Sequence, residues 1–91
     1  MRRLVWTSAA RADLDSIAEF HAAADPRVGD VIIARIEAAA TKLARRDTGR
    51  PGRIAGTREK SVAKSAHIIV YEIHDDLLFI FRVVHTARNW P

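Results

Sequence analysis

The chain changes hydrophobic period once, at Gly49-Arg50-Pro51-Gly52-Arg53, and that change decides most of what it can fold into. Before this stretch, apolar positions recur at helical spacing: Ala10, Leu14, Ile17 and Ala18 with His21, then Val28, Ile32, Ile36, Ala39 and Leu43. Thr7 or Ser8 can cap the first helix, with Asp13 and Asp15 in or near its first turns. Asp25-Pro26 is a second start signal, a carboxylate cap followed by proline at the first helical position. The second helix should end near 47–49, and a link at 23–26 is short enough to fold the two into an antiparallel hairpin. After the loop, residues 58–62, His67–His74 and Leu77–His85 read as strands rich in Ile, Val, Phe and Tyr. The links 63–66 and Asp75-Asp76 suit hairpins, so these strands should form an antiparallel meander. A short run at Arg3–Trp6 adds an edge or pairing strand. The order predicts an α+β domain: a helical hairpin packed on one face of an antiparallel β-meander.

At 91 residues, 48% of them hydrophobic, the chain (1–91) suits one domain with a single core. A core of this size buries roughly 60–65% of the unfolded surface, so its stability should be modest. Cysteine is absent, which excludes disulfides and thiolate chemistry and fits a reducing compartment. The basic amino terminus leads into only three apolar residues, too few for a signal-peptide core, and no stretch approaches a membrane span. A soluble, cytoplasmic protein is expected. Ile68, Ile69, Val70 and Tyr71, and again 77–81, are apolar on both strand faces, although a helical hairpin covers only one. Either a partner protein covers the second face, or the loops and Trp90 close it.

Charge is concentrated as well. Residues 42–64 hold eight cations against Asp47 and Glu59, a local net charge of +6 in a chain of +4. Five of the eight are arginines, which bind phosphate and carboxylate bidentately, so an acidic partner is implied. No histidine cluster has metal-ligand spacing, no glycine-rich loop lies between a strand and a helix start, and no serine triad is supported. No cofactor and no metal are expected.

The landmarks in order are Trp6-Thr7, Ala12-Asp13-Leu14, Ile17, Pro26, the Gly-Arg-Pro-Gly-Arg loop, and Gly56-Thr57-Arg58-Glu59. Val70-Tyr71 follows, and the chain closes on Arg82-Val83-Val84-His85-Thr86-Ala87-Arg88-Asn89-Trp90-Pro91. Taken together this resembles the RelE/ParE superfamily of toxins from type II toxin–antitoxin modules, the ParE side more than the RelE side. The resemblance implies a cognate antitoxin, ParD-like or similar, whose acidic and amphipathic tail wraps the toxin in a hetero-oligomer. Arg45, Arg46, Arg58, Lys60, Tyr71 and Phe79 are the candidate contacts for it.

Two mechanisms share the superfamily fold. RelE-like members cut mRNA on the ribosome without a metal, which needs a base, an acid and cations around the phosphate. The strand positions that align with their cations hold Glu59, Ser61 and Ile68, which cannot reproduce that set. A different nuclease set would use Glu59 as base and His85 as acid, with Arg58, Arg82 and Arg88 on the phosphate. Each also has a plain structural role: His85 as a strand-end cap, Glu59 in an ion pair with Arg58, Lys60 or a cross-strand cation, Arg82 paired with a carboxylate such as Glu72. ParE-like members instead bind DNA gyrase, which needs a basic recognition surface and no active site. Arg50, Arg53, Arg88 and Trp90 are the candidates for that surface. Three readings follow: a gyrase-binding toxin, a ribosome-dependent mRNA endonuclease, or a degenerate toxin serving only as antitoxin binder and co-repressor. Lys60 and Ser61, where the family prefers apolar residues, and His67, where it prefers an aromatic, keep the third open.

Overall fold

The computed structural model describes residues 1–87 and 90–91. Its elements follow the order β1 (Arg3–Trp6), α1 (Ser8–Ala22), α2 (Pro26–Arg45), β2 (Arg50–Pro51), β3 (Arg58–Ser61), β4 (His67–His74) and β5 (Leu77–His85). Both helix starts sit where the capping residues place them. The Thr7 hydroxyl accepts from the Ala10 amide at 3.1 Å and donates to the Phe81 carbonyl at 2.9 Å, which ties the start of α1 to β5. Asp25 accepts from the Arg27 amide at 3.0 Å, with Pro26 opening α2. Helix α2 stops at Arg45, short of the 47–49 expected from sequence. Arg46 is already extended (φ −150°), and Asp47 is drawn down to partners on the sheet.

The five strands form one sheet in the order β1-β5-β4-β3-β2. Strands β3, β4 and β5 are the expected meander, but the sheet as a whole is mixed. Strand β1 lies parallel to β5 at one edge, with Trp6 opposite Ile80 as its last pair. A two-residue strand within the basic loop, β2, lies antiparallel to β3 at the other edge. A bulge interrupts β4–β5: Val70 faces Arg82 while Tyr71 faces Ile80, leaving Phe81 as an extra residue. That extra residue lets Ile80 and Val83, three apart, both point toward the helices.

The helical hairpin covers one face of the sheet, and the main core lies between the two layers. Ile36, Ala40 and Leu43 of α2 meet Ile69, Tyr71, Leu78 and Ile80 of the sheet. Val28, expected on the buried stripe, is 44% exposed, because Gly29 takes the inward position of that turn, against Ala18 and His21 of α1. On the other face Ile68, Val70 and Val84 are buried with Trp90 packed against them. Of the two sequence-based explanations for a doubly apolar β4, the one in which Trp90 closes the second face describes this structure. Among the described residues no helix is long and apolar enough to cross a membrane.

Candidate functional site

The basic loop is held to the sheet from beneath. Tyr71 is fully buried, and its hydroxyl donates to Asp47 Oδ1 and accepts from the Gly49 amide at 3.0 Å. Arg58 Nε lies 3.1 Å from Oδ1 and 3.0 Å from Oδ2 of Asp47, and its guanidinium donates to the Gly49 carbonyl at 2.6 Å. Burial opposes ionisation of Asp47, but the hydrogen bonds from Tyr71 and Arg58, with the Arg58 charge, hold its carboxyl below the usual value of 3.8. Burial and the hydrogen bond to Asp47 push the Tyr71 phenol above 10.0. A side chain at position 49 would place its Cβ 2.0 Å from the Tyr71 hydroxyl, and one at 52 would meet Thr57 Oγ1 at 2.1 Å. The two glycines of the loop are therefore points of close approach, and between and after them the chain presents Arg50 and Arg53.

Those two arginines converge on one buried carboxylate. Glu59 is 1% exposed; Arg50 faces it across the β2–β3 pair, and the Arg53 amide donates to Oε2 at 2.9 Å. Both guanidinium groups lie 3.7 Å from Oε1, and the two side chains remain 52% and 48% exposed. Arg50 also reaches Ser61 Oγ at 3.3 Å, and Arg53 donates to the Trp90 carbonyl at 3.2 Å. Arg82 stands over the Trp90 ring at 5.8 Å. Glu59 thus sets two arginines beside a tryptophan on the sheet face away from the helices. One of its partners, Arg50, is a cross-strand cation, one of the roles the sequence suggested.

Arg82 itself is held from the opposite layer. Its Nε and Nη2 lie 2.8 and 3.0 Å from the two oxygens of Asp13 in α1, which also accepts from the Val83 amide at 2.8 Å. Strand β1 ends opposite Ile80, so Asp13 takes the place of a neighbouring strand for the exposed edge of β5. The partner is Asp13 rather than Glu72, which instead lies 3.1 Å from His74.

His85 lies elsewhere. Its ring meets that of buried His67 edge-on at 5.4 Å, its Nδ1 accepts from the Ala87 amide at 3.0 Å, and it shares a cavity with Asp13, His21 and Val83. Burial, then the neighbouring His85 and His21, push the His67 imidazole below 6.5. Alternation along the strands puts Glu59 and Val70 on one face and Val83 and His85 on the other. Glu59 and His85 are therefore not brought together. Arg58 is turned to Asp47 and Arg82 to Asp13, while Arg88 lies outside the described residues.

The remaining candidates divide. Arg45, Arg46 and Lys60 line a groove of about 710 Å³ between α2 and β3. Tyr71 is in the core and offers no surface to a partner, a correction to its reading as a contact residue. Phe79 is half-buried, with the His74 ring edge-on at 5.8 Å. Sequence reasoning missed Asp13 and Asp47 as the organising carboxylates; the Ala12-Asp13-Leu14 landmark flagged one of them without its role.

Comparison with known proteins places this geometry. Y4kP of Sinorhizobium fredii is 38% identical over 91 residues, covering 99% of this chain and 94% of its own. Toxin RelE2 of Caulobacter vibrioides is 33% identical over 89 residues, covering 97% and 99%. The solved chromosomal ParDE TA system of P. aeruginosa superposes with a TM-score of 0.84 at 24% identity, over 93% of this chain and 96% of that one. The family described as the ParE toxin of the type II toxin–antitoxin system parDE matches residues 4–90, and the chain belongs to that family of RelE/ParE toxins.

Proposed function

We propose that this toxin arrests growth by binding DNA gyrase through the face that carries Arg50, Arg53 and Trp90, and that a partner antitoxin holds it silent. The observation behind this reading is the arrangement around Glu59. Two half-exposed arginines are pinned beside a tryptophan, which suits recognition of an acidic surface and requires no bond-making. The groups that metal-free RNA cleavage would need lie on opposite faces of the sheet, with Arg58 and Arg82 already paired. The ParE family match favours the same target. An antitoxin partner follows from the family and from the ParDE system on which this fold superposes. Gyrase binding would put the action in the cytoplasm.

Inducing the chain alone in a bacterium, while following DNA integrity and mRNA together, tests this reading. Filamentous arrest with gyrase-dependent DNA breaks is the expected result. Rapid mRNA cleavage over intact DNA would instead select the endonuclease, and unimpeded growth would select the antitoxin-binding remnant.

A further inference from the structure

Arg82 passes around the open edge of β5 and joins the two layers of the molecule. It pairs with Val70 across β4–β5, and Val70 belongs to the far-face cluster, so Arg82 leaves its strand on the face away from the helices. Strand β1 has already ended at Trp6, opposite Ile80, so the edge beside Arg82 is uncovered and its guanidinium reaches Asp13 in α1. The contact is bidentate, at 2.8 and 3.0 Å, and the Val83 amide is a third donor to the same carboxylate. Asp13 is thus tied to the β5 backbone, and the Arg82 fork is tied to Asp13.

The same guanidinium stands 5.8 Å from the centre of the Trp90 ring. The ring packs on Ile68, Val70 and Val84, an apolar contact without direction. Its indole Nε1 is buried with no hydrogen-bond partner among the described residues. A buried donor without an acceptor orients nothing and disfavours the pose it sits in. The Trp90 carbonyl accepts from Arg53 at 3.2 Å, which holds the main chain but not the ring. The directional contact left to the ring is Arg82, and Arg82 is aimed by a helix of the other layer.

We propose that Asp13 is a positioning residue for Trp90: it fixes the Arg82 guanidinium, which sets how the indole is presented beside Arg50 and Arg53. The proposal rests on the reading of the far face as the recognition surface, and it adds a residue in α1 that lies outside that surface. Two carboxylate-anchored arginines then clamp Trp90, Arg53 with Glu59 on its main chain and Arg82 with Asp13 on its ring.

The chain has two tryptophans, so Trp6→Phe leaves Trp90 as the sole indole fluorophore while keeping a ring in the core. In that background Asp13→Asn keeps an oxygen for the Val83 amide and removes the charge that aims Arg82. Acrylamide should quench Trp90 more readily in this variant, and its emission should shift to the red. Arg82→Leu should do the same, and Asp13→Asn added to Arg82→Leu should raise quenching no further, whereas a merely structural role for Asp13 would add to it. With Trp6 retained, Asp13→Asn should weaken gyrase binding, and raise the inducer dose that arrests growth, by about two- to fivefold, the size of one cation–π contact. Unchanged quenching in Asp13→Asn, or quenching that rises again in the double variant, would overturn the positioning. Raised quenching with an unchanged arrest dose would overturn its part in recognition. Failure of the target reading looks different: a parent that arrests growth without binding gyrase refutes gyrase, while quenching and arrest dose still decide the role of Asp13.

Discussion

The two faces of the sheet are built on opposite terms. The face under the helices is continuous: Ile36, Ala40 and Leu43 lie on Ile69, Tyr71, Leu78 and Ile80, and the Tyr71 hydroxyl within it is fully used by Asp47 and Gly49. The far face has three buried aliphatics, one half-buried tryptophan and a carboxylate whose partners are half in water. A core of the first kind resists change and displays nothing. The second kind displays arginines in fixed positions with little apolar burial behind them. Under the proposed function, fold and recognition are separable in this toxin, and substitutions on the two faces should differ in kind.

The largest effect should come from the covered face. Tyr71→Ala removes a buried ring and strands Asp47, and should lower stability by about 3–5 kcal/mol. Tyr71→Phe keeps the ring and isolates the hydroxyl's share, about 1–3 kcal/mol, both measurable by urea unfolding. If Tyr71→Phe proves neutral, the Asp47 hub does not hold the loop. Next comes the edge between the layers. Asp13→Ala leaves the Val83 amide and Arg82 without their acceptor and should cost about 1–3 kcal/mol, although it lies in a helix 69 residues away.

The far face should answer differently. Arg50→Gln or Arg53→Gln alone leaves Glu59 one guanidinium and the Arg53 amide, so stability should move by no more than about 1 kcal/mol while toxicity falls. Charge reversal at these positions would press new carboxylates against buried Glu59. The triple change Glu59→Gln, Arg50→Gln, Arg53→Gln avoids that, because it removes the buried charge along with its cations.

The smallest effect is with pH. Because the folded value of His67 lies below 6.5, the native chain binds fewer protons than the unfolded one as pH drops beneath that value. Its share of stability is present above 6.5 and is lost as pH falls through the folded value. His67→Phe should flatten the dependence of the thermal midpoint between about pH 7.5 and 5.5, and an unaltered slope would move the effect to other groups.

Much of the architecture was legible because it is written locally. Caps at Thr7 and Asp25 and two-residue alternation in β4 and β5 each span a few residues, and their boundaries follow. Strand β2 was not legible, since two residues, one of them proline, have no period. Val28 was misplaced because glycine carries no hydrophobic signal, so periodicity did not show that Gly29, packed on α1, holds the inward position of that turn. For the site, the residue types were readable and the pairings were not. Glu59 was expected to meet a cation, but its meeting Arg50 depends on β2, and Asp13–Arg82 depends on how one layer docks on the other. Glu59 and His85 looked compatible until the register put Glu59 level with Arg82, an odd number of residues from His85 and so on the opposite face.

The most direct test of the account is gyrase inhibition by the purified chain, comparing the parent with the Glu59→Gln, Arg50→Gln, Arg53→Gln variant at matched thermal midpoint. The account predicts that the parent traps cleaved DNA on gyrase and that the variant, equally folded, does not. Trapping undiminished in the variant would contradict the assignment of the far face, and a parent inert on gyrase but active on ribosome-bound mRNA would contradict the proposed target.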